Sequence, residues 1–443
     1  MLYLIEYLNY KYKLMKNSSD IPETNKAEKK SSKPLIIIIL ILSIIFIATL
    51  GILVFFLINN SNEDDLEDTL ADDVEDTKVE DTDIDDKSDD NYNREFVAED
   101  VWANVPTIKV DDNDFPHIAF YNREFGDLMY ATKASGEWEY ETVDNEGDVG
   151  TETGIDIDSK GNVHIAYKDT TNGNTKYAVK SNDEWEVSIL DEVPDTHHTV
   201  YVDLEIDSND RPHVVYHTEL NEGEDEDNND MSIVKYAVLE GDTWAIEEIA
   251  PIGQFTQIDL DSNDVPHILY VIEPEEQTIH AYKEGTEWIY EEIDPEAGNR
   301  RDVEIQLDTD DNIHIIYHDT DGGLVKYYFC DKEGNSTIET VDSGFSTEGL
   351  GYKGIKLDVE PDGTPHIVYF NGTRGGFTHA VKFSDEWQYE ILDECGYPSI
   401  AVDSGGKAHI AHTYPLDGPR EMAPEVVERE ENDLEQVVYQ LID

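Results

Sequence analysis

The sequence predicts an all-β fold, a seven-bladed β-propeller with four antiparallel strands per blade, and three observations predict it. A histidine flanked by aliphatic residues and followed by an aromatic, as in Val163-His164-Ile165-Ala166-Tyr167, recurs at His117, His164, His213, His267, His314, His366 and His409. The intervals of 47, 49, 54, 47, 52 and 43 residues are close to one period, the mark of a repeat architecture. Within each period, alternating runs rich in Ile, Val and Tyr are separated by Gly, Asn, Asp and Ser turns. Four such runs in roughly 48 residues make one propeller blade.

Residues 154–191 serve as the type repeat. Ile155-Asp156-Ile157-Asp158 leads through the turn Ser159-Lys160-Gly161-Asn162 into the histidine strand, and Thr175 to Val179 forms the third strand. A tight turn at Ser181-Asn182-Asp183 then leads to Trp185-Glu186-Val187-Ser188-Ile189. An aromatic ring is followed eight residues later by tryptophan at Trp138, Trp185, Trp244, Trp288 and Trp387, which fixes the length and register of that hairpin. These rings are expected to fill the space between blades. The fifth repeat keeps Tyr327, but its tryptophan place falls near Asn335, inside the sequon Asn335-Ser336-Thr337. The seventh ends at Asp443 after a third strand around Gln436-Val437-Val438-Tyr439, with a helix over 420–440 as the alternative. Its missing fourth strand is expected from Glu95 to Val101, with Phe96 in the tryptophan place, so that the N-terminal strand closes the ring and removes an exposed sheet edge.

Four segments are expected: a cytoplasmic tail (1–34), a transmembrane helix (35–58), an acidic disordered stalk (59–92) and the propeller (93–443). Leu35 to Ile58 carries no charge, and 24 helical residues span about 36 Å, enough to cross a hydrocarbon core of about 30 Å. Lysines precede it and sixteen acids lie between Glu63 and Asp90, so the positive-inside rule puts the N-terminus in the cytoplasm and everything after residue 58 outside. Translation from Met1 or from Met15 fits equally.

The chain carries 101 acids against 31 bases, a formal charge of −70, which repels phosphate and excludes nucleic acid as a partner. Such a surface fits a solvated, salt-screened protein, with dedicated Ca²⁺ sites as the alternative. Aspartates at 111, 158, 207, 261, 308, 358 and 403 sit between first and second strands. Asp308-Thr309-Asp310-Asp311-Asn312 resembles the opening of a calcium loop, but the glycine and glutamate such a loop needs are absent. A turn in which Asp bonds its own backbone accounts for all seven, so no cofactor is expected. Cys330 and Cys395 lie in different repeats and are too few for a disulfide framework.

The repeated Ile-Ala-Val-Asp-Ser-x-Gly-x-Pro-His-Ile-Ala-Tyr pattern, followed by Tyr-Ala and Trp strands, resembles the repeats of secreted or surface-attached bacterial and archaeal seven-bladed propellers. These are grouped loosely with sialidase-like (BNR) proteins. The resemblance covers 95–443 and implies the fold; the Asp-box of true sialidases, Ser-x-Asp-x-Gly-x-x-Trp, does not occur.

Seven equivalent histidines imply a structural hydrogen bond between blades, because a ligand site breaks the symmetry of a ring. The connections that vary in length join strands two to three and each blade to the next, and both sets fall on one face, where function is expected. That face would carry Arg123, Asp169, His217, His318 and Arg374 from the first set and His197 and Arg301 from the second. Arginines there suit an anionic sugar or carboxylate. The expected function is a membrane-anchored extracellular module that recognises a glycan or protein. The alternatives are a structural envelope component and a glycosidase or lyase, although no phosphate loop, nucleophile elbow or zinc motif is present.

Overall fold

The computed structural model describes residues 94–98, 103–220, 232–272, 277–295, 300–319, 322–343, 354–371, 376–392, 396–415 and 435–442. All belong to a single compact unit. The expected tail, membrane helix and stalk lie outside the described residues; among those described, no helix is long and apolar enough to cross a membrane.

Seven four-stranded antiparallel sheets form the ring. Blades 1 to 6 span 103–144, 149–191, 197–250, 254–293, 300–343 and 355–391, each with its strands in sequence order. Blade 7 combines Gly396–Val402, Ala408–Pro415 and Glu435–Ile442 with a fourth strand from the other end of the propeller, Arg94–Phe96. The segment near 436–439 is therefore strand, not helix.

The latch forms in a different register from the one expected. Glu95 pairs with Tyr439, just as Glu141 pairs with Tyr130 in blade 1. Val97, 2 % exposed, then takes the place of Val143, and the tryptophan place falls three residues before Glu95, at position 92, outside the described residues. Phe96 is instead an exposed position at 46 %. The expected match used the aromatic ring as its anchor, but the buried valine and the glutamate carry the equivalence. Glu95 accepts from Trp138 Nε1 at 3.0 Å and pairs with Lys133, as Glu141 does with Trp185 (3.1 Å) and Lys180.

The tyrosine–tryptophan rings lie between blades, each strand-three tyrosine meeting the tryptophan of the next blade edge-on. Tyr130–Trp185, Tyr177–Trp244, Tyr236–Trp288, Tyr327–Trp387 and, across the closing seam, Tyr439–Trp138 have centroids 5.2–5.5 Å apart. Blade 4 carries His280 in the tyrosine place, and the following blade carries Ser336, not Asn335, in the tryptophan place. Five strand-two tyrosines, Tyr167, Tyr216, Tyr270, Tyr317 and Tyr369, are fully buried, each worth about 1.5–3 kcal/mol of transfer free energy. Tyr167 and Tyr216 donate to Asp144 and Asp191 of the preceding blade at 2.7 and 2.8 Å, which satisfies their hydroxyls.

The seven repeated histidines bond within their blades rather than between them. Each Nδ1 meets a strand-three ring, Tyr130, Tyr177, Tyr236, His280, Tyr327, His379 or Tyr439, at 2.5–3.1 Å. In six blades Nε2 stands 2.9–3.6 Å from an acid of the first turn. At His213, His314 and His409 one neutral tautomer satisfies both contacts, donating from Nε2 to the acid at 3.2–3.3 Å and accepting at Nδ1 from the phenol. Burial holds His117, His164, His213, His314 and His409 below the ordinary imidazole pKa, in the neutral form this pin needs.

The first turns are closed by aspartate as expected, with one exception. Asp111, Asp158, Asp207, Asp261, Asp308 and Asp403 each accept the backbone N–H groups two and four residues on, at 2.8–2.9 Å. In blade 6 the first turn opens at Glu360, whose carbonyl accepts from Gly363, and Asp358 lies two residues earlier in the first strand. Neighbouring turns join around the ring. Ser159, Ser208, Ser262 and Ser404 donate to Asp210, Asp264, Asp311 and Asp114 of the next blade. Cys330 is half-buried and Cys395 lies outside the described residues.

Candidate functional site

The first strand of every blade faces the propeller axis, and side chains two residues apart point into the axial channel. Register with strand two defines two layers. Lys109, Asp156, Glu205, Asp259, Gln306, Asp358 and Ala401 sit opposite the repeated histidines. Thr107, Gly154, Asp203, Gln257, Glu304, Lys356 and Ser399 form the layer nearer the variable loops. Gly154 has no room for a side chain, since a Cβ there would lie 2.6 Å from the Leu204 nitrogen.

An innermost strand has no further strand to pair with, so its edge N–H groups need other partners. The axial carboxylates supply them. Asp156 accepts from Ile206 N (2.7 Å), Asp203 from Ile258 N (2.9 Å), Asp259 from Leu307 N (2.5 Å) and Asp358 from Val402 N (2.6 Å). Ser399 Oγ accepts from Ile108 N at 3.2 Å in the same way. Each bond crosses from one blade to the next. Much of the channel's acidity therefore holds the ring together.

Burial raises the pKa of Asp203, Asp259 and Asp358. Asp259 is pushed up to about 7, with the charge of Asp358 adding to the effect of burial. Burial with repulsion from Asp156, Asp259 and Asp203 lifts Glu205 well above the usual range. The Lys109 ammonium answers this, 2.7 Å from Glu205 and 3.8 Å from Asp156. Burial alone would lower its pKa, but these carboxylates raise it well above the ordinary value, so it stays charged. In the upper layer Lys356 pairs with Glu304, and the Gln257 amide, turned so that its nitrogen faces the acids, donates to Glu304 Oε2 and Asp203 Oδ2 at 3.0 Å each.

Above these layers the first strands bulge. Pairing with strand two skips in six blades, and Val105, Tyr201, Phe255, Asp302 and Tyr397 at the skips have positive φ of 47–56°. For such residues this conformation costs on the order of 1–3 kcal/mol each, and bulges of this kind gather next to functional sites. They encircle a cavity of about 70 Å³ lined by all seven blades, room for roughly five waters. Tyr201, Phe255 and Tyr397 line it together with Thr107, Thr153, Asp203, Gln257, Glu304 and Lys356. First strands run from the variable loops to the uniform turns, so the bulged end lies on the variable face. Among the described residues no group of three or more His, Cys, Asp or Glu is placed to hold a metal ion.

Among the described residues, none of the expected site residues lines this cavity. His217 is fully buried, 3.1 Å from Glu219, with its ring stacked on Tyr201 at 5.4 Å. His318, also fully buried, stands 3.7 Å from Asp302, and burial lowers its pKa to about 3. These two back the cavity wall. Asp169 is buried and holds its own loop through Asn172, so it is a turn residue. His197 meets Thr196 at 2.9 Å where blade 3 begins, and Arg123 is exposed on the first loop of blade 1. The Arg301 side chain and Arg374 lie outside the described residues. The residues that line the cavity were not singled out from the sequence. Their signal was polar side chains at alternate positions of a first strand buried on both faces, as in Asp203 and Glu205 or Glu304 and Gln306.

No family model and no curated protein matches the chain. Among solved structures it is similar to puromycin hydrolase, at 13 % identity and TM-score 0.50 over 72 % of this chain and 51 % of that one. It is also similar to the Hadza microbial sialidase Hz136, at 12 % identity and TM-score 0.45 over 74 % and 73 % of the two chains. The PL25 ulvan lyase, a polysaccharide lyase, aligns at 11 % identity and TM-score 0.47 over 78 % and 95 %. At these identities the likeness is one of fold.

Proposed function

We propose that this propeller is a recognition module that holds a glycan at the variable-face mouth of its axial channel, displayed outside the cell by the segment at 35–58 and its acidic stalk. One observation carries the reading: the first strands of all seven blades, five of them strained at a positive φ, converge on a cavity with tyrosine rings in its wall and amide, carboxylate and ammonium groups in its floor. Sugar rings present C–H faces that stack on aromatics and hydroxyls that bond to such groups. Binding is favoured over catalysis because the axial carboxylates are engaged: Asp203 holds the Ile258 amide and Glu304 holds Lys356. A general acid and base need freedom to exchange protons with a substrate.

The test is a glycan array and hydrolysis screen on the full chain. Tyr201→Ala and Tyr397→Ala should each weaken binding about fivefold, and about 25-fold together, since a stacking contact is worth on the order of 1 kcal/mol. Replacing Arg123, Arg301 and Arg374 together should matter less. No bound glycan, or affinity unchanged in the double tyrosine variant, refutes the proposal, and turnover of a bound glycan moves it to an enzyme.

A further inference from the structure

Blade 5 departs from the repeat at its third-to-fourth turn. Five residues separate the paired Cys330 and Ser336, where blades 2, 3, 4 and 6 turn in two. Ser336 occupies the place held by Trp185, Trp244, Trp288 and Trp387 in those blades, so the seam with blade 4 forgoes the ring contact made at its neighbours. Tyr282 of blade 4 stacks on His267 and His280 instead, at 5.5 and 5.1 Å, and the indole's place is left to a small exposed residue. The break coincides with Asn335-Ser336-Thr337, the acceptor pattern for N-linked glycan.

The geometry suits an acceptor. Lys332 through Ile338 are all exposed, and the Asn335 amide bonds to Asp331 at 2.8 and 3.1 Å within the turn, where water competes. Adding a Cβ at the adjoining Gly334 would meet nothing within 4 Å. The pattern occurs again at Asn371-Gly372-Thr373, with the opposite setting. Asn371 is 1 % exposed, and its amide donates to Asp342 Oδ2 at 2.9 Å and to the Ser343 carbonyl at 3.2 Å.

We infer that Asn335 is an N-glycosylation acceptor and that Asn371 is not. The modification rests on the outward placement of the chain beyond residue 58. In the transfer the Asn335 carboxamide nitrogen bonds to the anomeric carbon of a lipid-pyrophosphate-linked oligosaccharide. The C1–O bond to phosphate breaks, the lipid pyrophosphate leaves with the electron pair, and the amide gives one proton to a base of the transferase. The glycan then stands on the face of the uniform turns, opposite the cavity, and leaves its mouth clear.

The experiment treats the folded full chain with a purified oligosaccharyltransferase and a dolichol-pyrophosphate-linked oligosaccharide, followed by peptide mapping by mass spectrometry. One glycan on the Asn335 peptide is expected, lost in Asn335→Gln and Thr337→Ala and kept in Asn371→Gln. The same peptide from chain isolated from the cells that make it should also carry glycan. A bare Asn335 in either preparation, or equal modification of Asn371, overturns the inference. Circular dichroism of the two turn variants, expected to match the parent, separates loss of the acceptor from loss of the fold.

Discussion

Lys109→Met tests whether one ammonium holds the charge balance of the channel. Removing one partner of a buried ion pair costs about 3–5 kcal/mol, because the other charge is left uncompensated. Lys109 keeps 32 % of its side-chain surface open to the channel, so water offsets part of this, and a loss of about 2–3 kcal/mol is expected. For a ring of ~350 residues that lowers the melting midpoint by about 3–4 °C. The loss should depend on pH. Without the ammonium, the pKa of Glu205 rises further in the folded state. A carboxyl whose folded pKa lies above its unfolded one contributes stability at low pH that is lost as pH rises through the folded value. The deficit should therefore be small at pH 5 and full at pH 8, read from urea midpoints followed by tryptophan fluorescence. Lys109→Met with Glu205→Gln should lose less than the sum of the single changes by at least about 1 kcal/mol. A variant as stable as the parent at pH 8, or strict additivity, would show that the ammonium does not compensate these acids.

The latch register makes opposite predictions for adjacent residues: Val97→Ala should cost about 1–2 kcal/mol, while Phe96→Ser should stay within about 0.5 kcal/mol in the same urea assay. Equal costs would restore Phe96 to the tryptophan place. Glu95→Ala should match Glu141→Ala at about 1 kcal/mol, since both carboxylates hold an indole and a lysine of the next blade. Acid should destabilise the ring from near pH 6.5 downward. Burial lowers His267 to about 4 and His379 to about 3, so their contribution is present above the ordinary imidazole value and lost as pH falls through those values. The raised axial acids act in the opposite sense, the contribution of Asp259 being lost between the ordinary carboxylate value and about pH 7, so it offsets part of the histidine effect and the melting temperature should be level above pH 7. A profile that keeps rising to pH 9 would contradict this balance.

The ring was legible in the sequence because its frame repeats. The Asp158 turn and the Tyr177–Trp244 contact recur often enough for spacing alone to reveal them, whereas the repeated histidine revealed the period but not its partner, Tyr177 of its own blade. The cavity was not, because what distinguishes it is conformational. Tyr201, Phe255 and Tyr397 look like ordinary strand residues, and only their positive φ and the skipped pairing reveal a bulge. Expectation turned to charged loop residues, whereas His217 and His318 proved to brace the wall from behind. Asp358 was grouped with the turn aspartates because Asp or Glu recurs at both positions, and the pairing of Asp358 with His366 placed it in the channel.

The staples of the axial strands have a consequence for how the molecule comes apart. In a linear stack of repeats the two outermost units each lack a neighbour, and melting begins there by fraying. Here Ile108 bonds to Ser399, Ser404 to Asp114 and Trp138 to Glu95, so the described blades form a closed circuit in which every unit has two neighbours. Loss of any one blade must break two seams at once. Unfolding should therefore be a single cooperative event across the circle, with the short pairing of Arg94–Phe96 with Val438–Gln440 reinforcing the seam at which it closes.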